Sequence, residues 1–324
     1  MSEEMSIGQA ENALENELRT ELEQGDRVIA TARPILRQLI ANDDHSLFND
    51  EVIARIRGMV RHSVRQMLHA VADVMPASVA ERAKREEFVD DHSATVAAPL
   101  LGDAAFLFHA HTLVLEARLA ERLQQRSGID PVLSPLLQEL AASSDPELAG
   151  QAMQVLAAQT RFMQHQRRME WPLNELPADL FQKAILVLQT TTIAPADVLF
   201  AAQEKLRQEY DEGRRRVGQI TRMIETMERK ARRALALDHA GLAIFVTAMA
   251  VASEQDRELA VMALCDNQFA RLALSLRAAG LEQREVEKQF VFLHPDVDLP
   301  PGFAGLGGDG AARLLASSDI NGLG

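Results

Sequence analysis

The chain has 324 residues, 47% hydrophobic but only 4% aromatic, a net charge of −13 and one cysteine, Cys265. That length exceeds the usual single domain and can fill one large or two medium cores. The negative charge disfavours general affinity for nucleic acid or anionic lipid, and a lone cysteine excludes an intramolecular disulfide and a cysteine-ligated zinc site.

The acidic N-terminus lacks the basic-then-apolar order of a signal peptide. No apolar run approaches the roughly 18 residues that span a bilayer. A cytoplasmic protein with no membrane segment is the expectation. Ala, Leu, Glu, Gln and Arg dominate, all strong helix formers, and a core poor in rings suits close helix-on-helix packing.

Apolar residues recur at helical spacing along most of the chain, and no strand pattern appears. In chain order, helices are predicted over 8–24, 27–41, 49–74, 77–90, 93–101, 103–126, 131–142, 145–169, 177–190, 195–212, 214–237, 239–252, 254–279 and 282–292, with a break near Asp266. Proline followed by a small residue marks three starts, at Pro76, Pro177 and Pro195. Ser144 and Glu147 have capping-box spacing. Gly102, Gly128 and Gly280 stand where periodic stretches stop.

Residues 1–26 hold eight acidic residues against Arg19 alone, which predicts an acidic helix loosely docked. Residues 27–130 read as an N-terminal helical, bundle-like region and 131–298 as stacked antiparallel helix pairs. Residues 299–324 are Gly-rich and read as a flexible tail, within which 311–316 could become helical on a partner.

One stretch carries a resemblance. Pro135-Leu-Leu-Gln-Glu-Leu140, the Ser144-Asp-Pro-Glu-Leu148 turn and Met153-Gln-Val-Leu156 together resemble a HEAT-type repeat, although Ala149 and Gly150 stand where such repeats often carry arginine. The stretch from Arg161 to Leu180 and the stretch Phe269-Ala-Arg-Leu-Ala-Leu-Ser-Leu-Arg-Ala-Ala-Gly280 resemble an uncharacterised alphaproteobacterial family, domain of unknown function 2336. That resemblance implies an all-helical, HEAT-like, α-solenoid-like fold over about residues 90–295 and no assigned activity. Such arrays bind partners and seldom carry chemistry of their own.

Candidate chemistry is sparse. His62, Gln66, His69 and Asp73 share one helical face opposite the stripe Val60, Val64, Met67, Leu68, Val71, and the expected state is a solvated polar face. His62 or His69 is the candidate phosphoacceptor if the protein is a histidine-phosphotransfer module. A zinc site needs three or more protein ligands, and no such motif is present. His109 and His111 point about 200° apart on a helix and cannot chelate together. One is expected half-buried and the other exposed, and Cys265 reads as a small buried hydrophobe. No catalytic, cofactor or metal residue is assigned.

The clearest local anomaly is charge. From Lys205 to Arg233 there are ten basic and five acidic residues in an otherwise acidic chain. Glu225 with Arg229 and Glu228 with Arg232 have the spacing of helical ion pairs. The remainder, Arg214, Arg215, Arg216, Arg229, Lys230, Arg232 and Arg233, forms a candidate docking surface for an acidic segment of a protein partner. That segment could be residues 11–23 of this chain or of a second copy. Nucleic acid is the lesser reading, because no aromatic residues are interleaved for stacking. The reading that results is a non-enzymatic scaffold or regulatory adaptor, with phosphotransfer and nucleic-acid association as alternatives and homo-oligomerisation open.

Overall fold

The computed structural model describes residues 2–41, 50–75, 82–266 and 268–318. Among these residues every regular element is a helix. In chain order the α-helices are α1 (Ser2–Ala41), α2 (Asp50–Val74), α3 (Arg82–Gly102), α4 (Ala104–Ser127), α5 (Pro135–Ala141), α6 (Pro146–Arg168), α7 (Ala178–Thr190) and α8 (Ala196–Glu209). They continue with α9 (Arg216–Thr226), α10 (Leu237–Ala240), α11 (Leu242–Ala252), α12 (Arg257–Ala263), α13 (Phe269–Ala278), α14 (Gln283–Leu293) and α15 (Gly308–Ala316). No single helix among the described residues is long and apolar enough to cross a membrane.

The predicted punctuation is mostly present. Pro177 and Pro195 occupy the positions before α7 and α8. Gly128 and Gly280 have positive φ after α4 and α13, a conformation open to glycine without a side-chain clash. The start expected at 76–79 lies outside the described residues. At α6 the cap is Asp145, not Ser144: its Oδ1 accepts from the amides of Glu147 and Leu148 at 3.0 and 3.4 Å. The two helices expected over 8–41 are one, and the one expected over 214–237 is two. There α9 stops at Thr226, and Glu228, at φ +48°, opens a 3-10 segment, Glu228–Leu235.

The chain groups into two compact units, each built from separated stretches. The first comprises Met1–Ala32, Leu115–Gln159 and Ile220–Gly324, and the second Arg33–Val114 and Thr160–Gln219. These units do not coincide with the linear blocks 27–130 and 131–298. The divides fall inside α1, α4 and α6 and near the start of α9, so a uniform helical pattern carries no mark of them.

The first unit is centred on α11, whose residues from Leu242 to Ala250 are all buried. The expected α5–α6 pair is part of this core: Leu136, Leu140, Leu148 and Val155 are buried, while Leu156 packs on the core edge. The core also claims both termini. Leu14, Leu18 and Leu22 of α1 are at most 4% exposed, so the acidic helix is firmly docked. Its partial burial, with Glu17 second, pushes the Glu21 carboxyl above its ordinary pKa. At Gly25 the backbone approaches closely: an added Cβ would lie 2.7 Å from Gln268 Oε1, and Gln268 Nε2 donates to the Gly25 carbonyl at 3.0 Å.

The described part of the glycine-rich stretch is likewise packed. Phe303, Leu306, Ala311, Leu314 and Leu315 are buried, and α15 packs on α13. Over these residues the expected flexible tail is instead a helix packed on its own chain, because five apolar side chains offset the entropy that the glycines bring.

Among the described residues of this unit, two ion pairs are largely withdrawn from water. Arg257 grips Glu116 through two bonds of 2.8 and 3.0 Å, and Glu116 is 2% exposed. Arg271 bonds Asp26 of α1 and, at 2.8 Å, Ser318 Oγ, and Ser318 itself donates to Asp26. Truncating one partner of such a pair is costly because it strands a charge away from water.

The second unit packs α2 against α3 and α8, and α7 against α8 and α3. The α2 stripe Val60, Val64, Met67, Leu68 and Val71 is fully buried.

Burial ranks the leucines of the α5–α6 pair. Leu136→Ala is expected to cost about 2–5 kcal/mol, the range for a truncated core leucine, and Leu156→Ala clearly less. Urea unfolding of the two variants measures both, and equal costs would contradict this packing.

Candidate functional site

The polar face of α2 is not left to solvent. Arg55, Gly58, His62, Ser63 and Gln66 recur at helical spacing and face the turn that follows α6. That turn leaves helical geometry at Met169, φ +56°, so its backbone groups need partners from elsewhere. Arg55 donates to the Gln166 carbonyl at 3.2 Å, and Ser63 Oγ donates to the Trp171 carbonyl at 2.7 Å. The Trp171 amide donates to His62 Nδ1 at 3.1 Å, and the Leu173 amide to Gln66 Oε1 at 3.2 Å. Gly58 permits the approach: an added Cβ would lie 2.8 Å from Met169 Cβ. His62 is thereby committed to structure, with Nδ1 as acceptor.

Trp171, the only tryptophan, is seated by this strap. Its ring stacks on His109 at 5.7 Å and meets Phe106 at 4.9 Å. His109 is buried, and His111 is half-buried rather than exposed; loss of solvent lowers the His111 pKa to about 4. His165 bonds Glu170 at 2.8 Å and holds that carboxyl below its ordinary range.

Beyond the strap, α2 forms one wall of a half-open cleft of about 400 Å³. Gln66, His69, Ala70 and Asp73 come from α2, Pro172, Leu173 and Asn174 from the turn, and Phe181 from α7. Lys205, Leu206 and Glu209 come from α8, followed by Tyr210. The floor is apolar, with Leu173, Phe181 and Leu206 each at most 8% exposed. Asp73 accepts from Lys205 and from Arg85, both at 2.9 Å, and the bond to Lys205 is the main reason its pKa is lowered. Tyr210, the only tyrosine, stacks on Phe181 at 4.0 Å and donates its hydroxyl to the Leu176 carbonyl at 2.9 Å. Loss of solvent, then nearby Glu212, raises its pKa to about 12. His69 remains partly exposed, its Nε2 3.9 Å from Glu86.

The basic segment is divided between the two units. Arg214–Arg216 belong to the second unit and Arg229–Arg233 to the first. Arg216 is 2% exposed, its guanidinium 3.7 Å above the Phe162 ring, so a partner cannot reach it. Arg215 bonds Glu212 at 2.9 Å, Arg232 bonds Glu285 at 2.6 Å, and Arg233 bonds Glu139. The break at Glu228 removes the helical register that the pairs Glu225–Arg229 and Glu228–Arg232 required. Arg214, Arg229 and Lys230 stay exposed. The basic residue that docks the acidic N-terminal helix is Arg271, outside this segment.

Among the described residues no group of three or more His, Cys, Asp or Glu is placed to hold a metal ion. Cys265 is half-buried, and the loss of solvent raises its thiol pKa to about 11, the opposite of what a nucleophilic cysteine needs.

No family model, curated protein or solved structure matches this chain.

With one tyrosine in the chain, the cleft wall has its own reporter. Alkaline spectrophotometric titration of the folded protein should place the phenol midpoint near 12 rather than about 10. Because the folded state raises this pKa, the associated stability is present below pH ~10 and is lost as pH rises toward 12. A midpoint near 10 would mean that the phenol is not withdrawn from solvent beside Glu212.

Proposed function

We propose that this chain is a non-enzymatic interaction protein, a scaffold or adaptor built on packed helix pairs in the HEAT manner. The observation that carries this reading is on the α7–α8 hairpin of the second unit. Leu186 lies one turn before the end of α7 and Phe200 one turn after the start of α8, so both stand at the same end of the hairpin. They are 47% and 63% exposed. Isolated exposed apolar residues are ordinary, but two large ones at one hairpin end suit an apolar contact with a protein partner. The cleft supports the same class: its tyrosine keeps its proton, and its aspartate is neutralised by two cations, so neither is poised as a base. The lone cysteine supports a reducing, cytoplasmic setting, and the likeness to the 2336 family belongs to this proposal.

The test is a comparative capture from the native cell with full-length bait. Phe200→Glu and Leu186→Glu should each lose the partners that the unaltered chain retains, with helicity by circular dichroism unchanged. Identical sets of captured proteins would remove the hairpin as the contact.

A second reading, histidine phosphotransfer, narrows to one residue. His62 spends its Nδ1 on the Trp171 amide, whereas His69 keeps a side chain 41% exposed at the cleft. Incubation with phosphoramidate should then give an acid-labile phosphate that His69→Gln abolishes. No such label on the unaltered chain ends this reading. The nucleic-acid reading is weaker, since much of the basic segment is buried or ion-paired.

A further inference from the structure

The cleft of the second unit has a chemistry that the hairpin contact does not use. Its volume of about 400 Å³ lies within the range of small-ligand sites. Its floor of Leu173, Phe181 and Leu206 is apolar. Its rim carries two opposite charges, Lys205 and Glu209, four residues apart on α8. At 1.5 Å per residue they are separated along the helix by about 6 Å.

Neither charge is satisfied by the other. Lys205 has turned to Asp73 at 2.9 Å, but an ammonium has three N–H groups and Asp73 takes one. Asp73 is also met by Arg85 at 2.9 Å, so the three groups together retain one positive charge. Glu209 is exposed and its carboxylate has no hydrogen-bond or ion-pair partner among the described residues, although it stands one helical turn from Lys205. A floor that accepts an apolar group thus lies beneath an unspent cation and an unspent anion about one helical turn apart.

We propose that this cleft binds a small zwitterion with an apolar side chain, the chemistry of an apolar α-amino acid. Lys205 takes the carboxylate, Glu209 takes the ammonium, and the side chain rests on Leu173, Phe181 and Leu206. Each charged contact is useful only if the ligand carries the matching charge, so blocking either end of the ligand discriminates. The inference is independent of the hairpin contact, and variants at Leu186 and Phe200 should leave it unchanged.

The experiment titrates the full chain with L-leucine and L-phenylalanine, and with the N-acetyl and the amide derivative of each, by isothermal titration calorimetry. Ligand-observed NMR provides a second readout. Saturable binding of the free amino acids is expected. Each capped derivative should bind roughly tenfold more weakly or worse, the usual effect of removing a charge-assisted hydrogen bond. Glu209→Gln cannot disturb a native ion pair, so it should leave the fold intact and erase the preference for the free amine. Lys205→Gln should erase the preference for the free carboxylate.

No saturable binding of either amino acid at about tens of millimolar, the weakest range such contacts allow, overturns the proposal. Equal binding of all three forms overturns it too, leaving only an apolar slot. N-acetyl derivatives that bind as well as the free amino acids, with amides that do not, overturn it in favour of a polypeptide C-terminus.

Discussion

The second unit depends on a strap of side-chain hydrogen bonds from α2 to the turn after α6. A chain that leaves a helix at a buried position must still pair its amides and carbonyls, and here one polar helix face supplies the partners. Stranding one of these buried groups would cost about 1–3 kcal/mol, a large fraction of a domain's net stability. The strap also fixes where Trp171 sits and where Pro172 and Leu173 emerge. That sets the far wall of the cleft against His69, Ala70 and Asp73 of the same helix. One face of α2 therefore serves structure at its N-terminal half and the cleft at its C-terminal half.

This explains what the sequence could and could not reveal. Helical periodicity made the all-α class legible, and prolines and glycines made most boundaries legible, because those signals act over a few residues. His62, Gln66, His69 and Asp73 were also legible as one face. What they face was not: the residues bonded by His62 and Gln66 lie 105 to 109 positions away, and no local pattern encodes that distance. A polar face against solvent and a polar face against a bare turn have the same composition. The available hint was the turn itself, where Met169 through Leu173 must break the helix yet contain the only tryptophan.

The termini were misjudged for a related reason. Composition weighs charge and glycine content, whereas burial is decided by where a few apolar side chains land. Leu14, Leu18 and Leu22 form a narrow stripe on an acidic helix, enough to dock one face while Glu17 and Glu23 stay outside. Phe303, Leu306, Leu314 and Leu315 do the same for a glycine-rich segment. Arg271 ties the two together by meeting Asp26 and Ser318 in one buried network. The acidic N-terminal helix was expected to meet the basic segment, but the group it meets is a single desolvated arginine outside that segment. A buried guanidinium with two fitted acceptors is held in one geometry and is little screened by salt, whereas an exposed cluster is screened.

The same contrast separates the basic segment from the cleft. The exposed arginines of the basic segment were conspicuous by number, yet Arg216 is buried under a ring and Arg215, Arg232 and Arg233 already have carboxylates. Charge counted along a sequence overstates charge available to a partner. The cleft was inconspicuous because its charges nearly cancel: Lys205, Arg85, Asp73 and Glu209 together sum to zero. A site whose charges balance leaves no trace in net charge, but it can still bind, provided its opposite charges are held apart rather than spent on each other. Asp73 enforces that separation. By drawing Lys205 across to α2 it keeps the ammonium from folding down its own helix onto Glu209. The α8 ion pair that simple spacing would favour is thereby given up, and a dipolar cleft is kept open in its place.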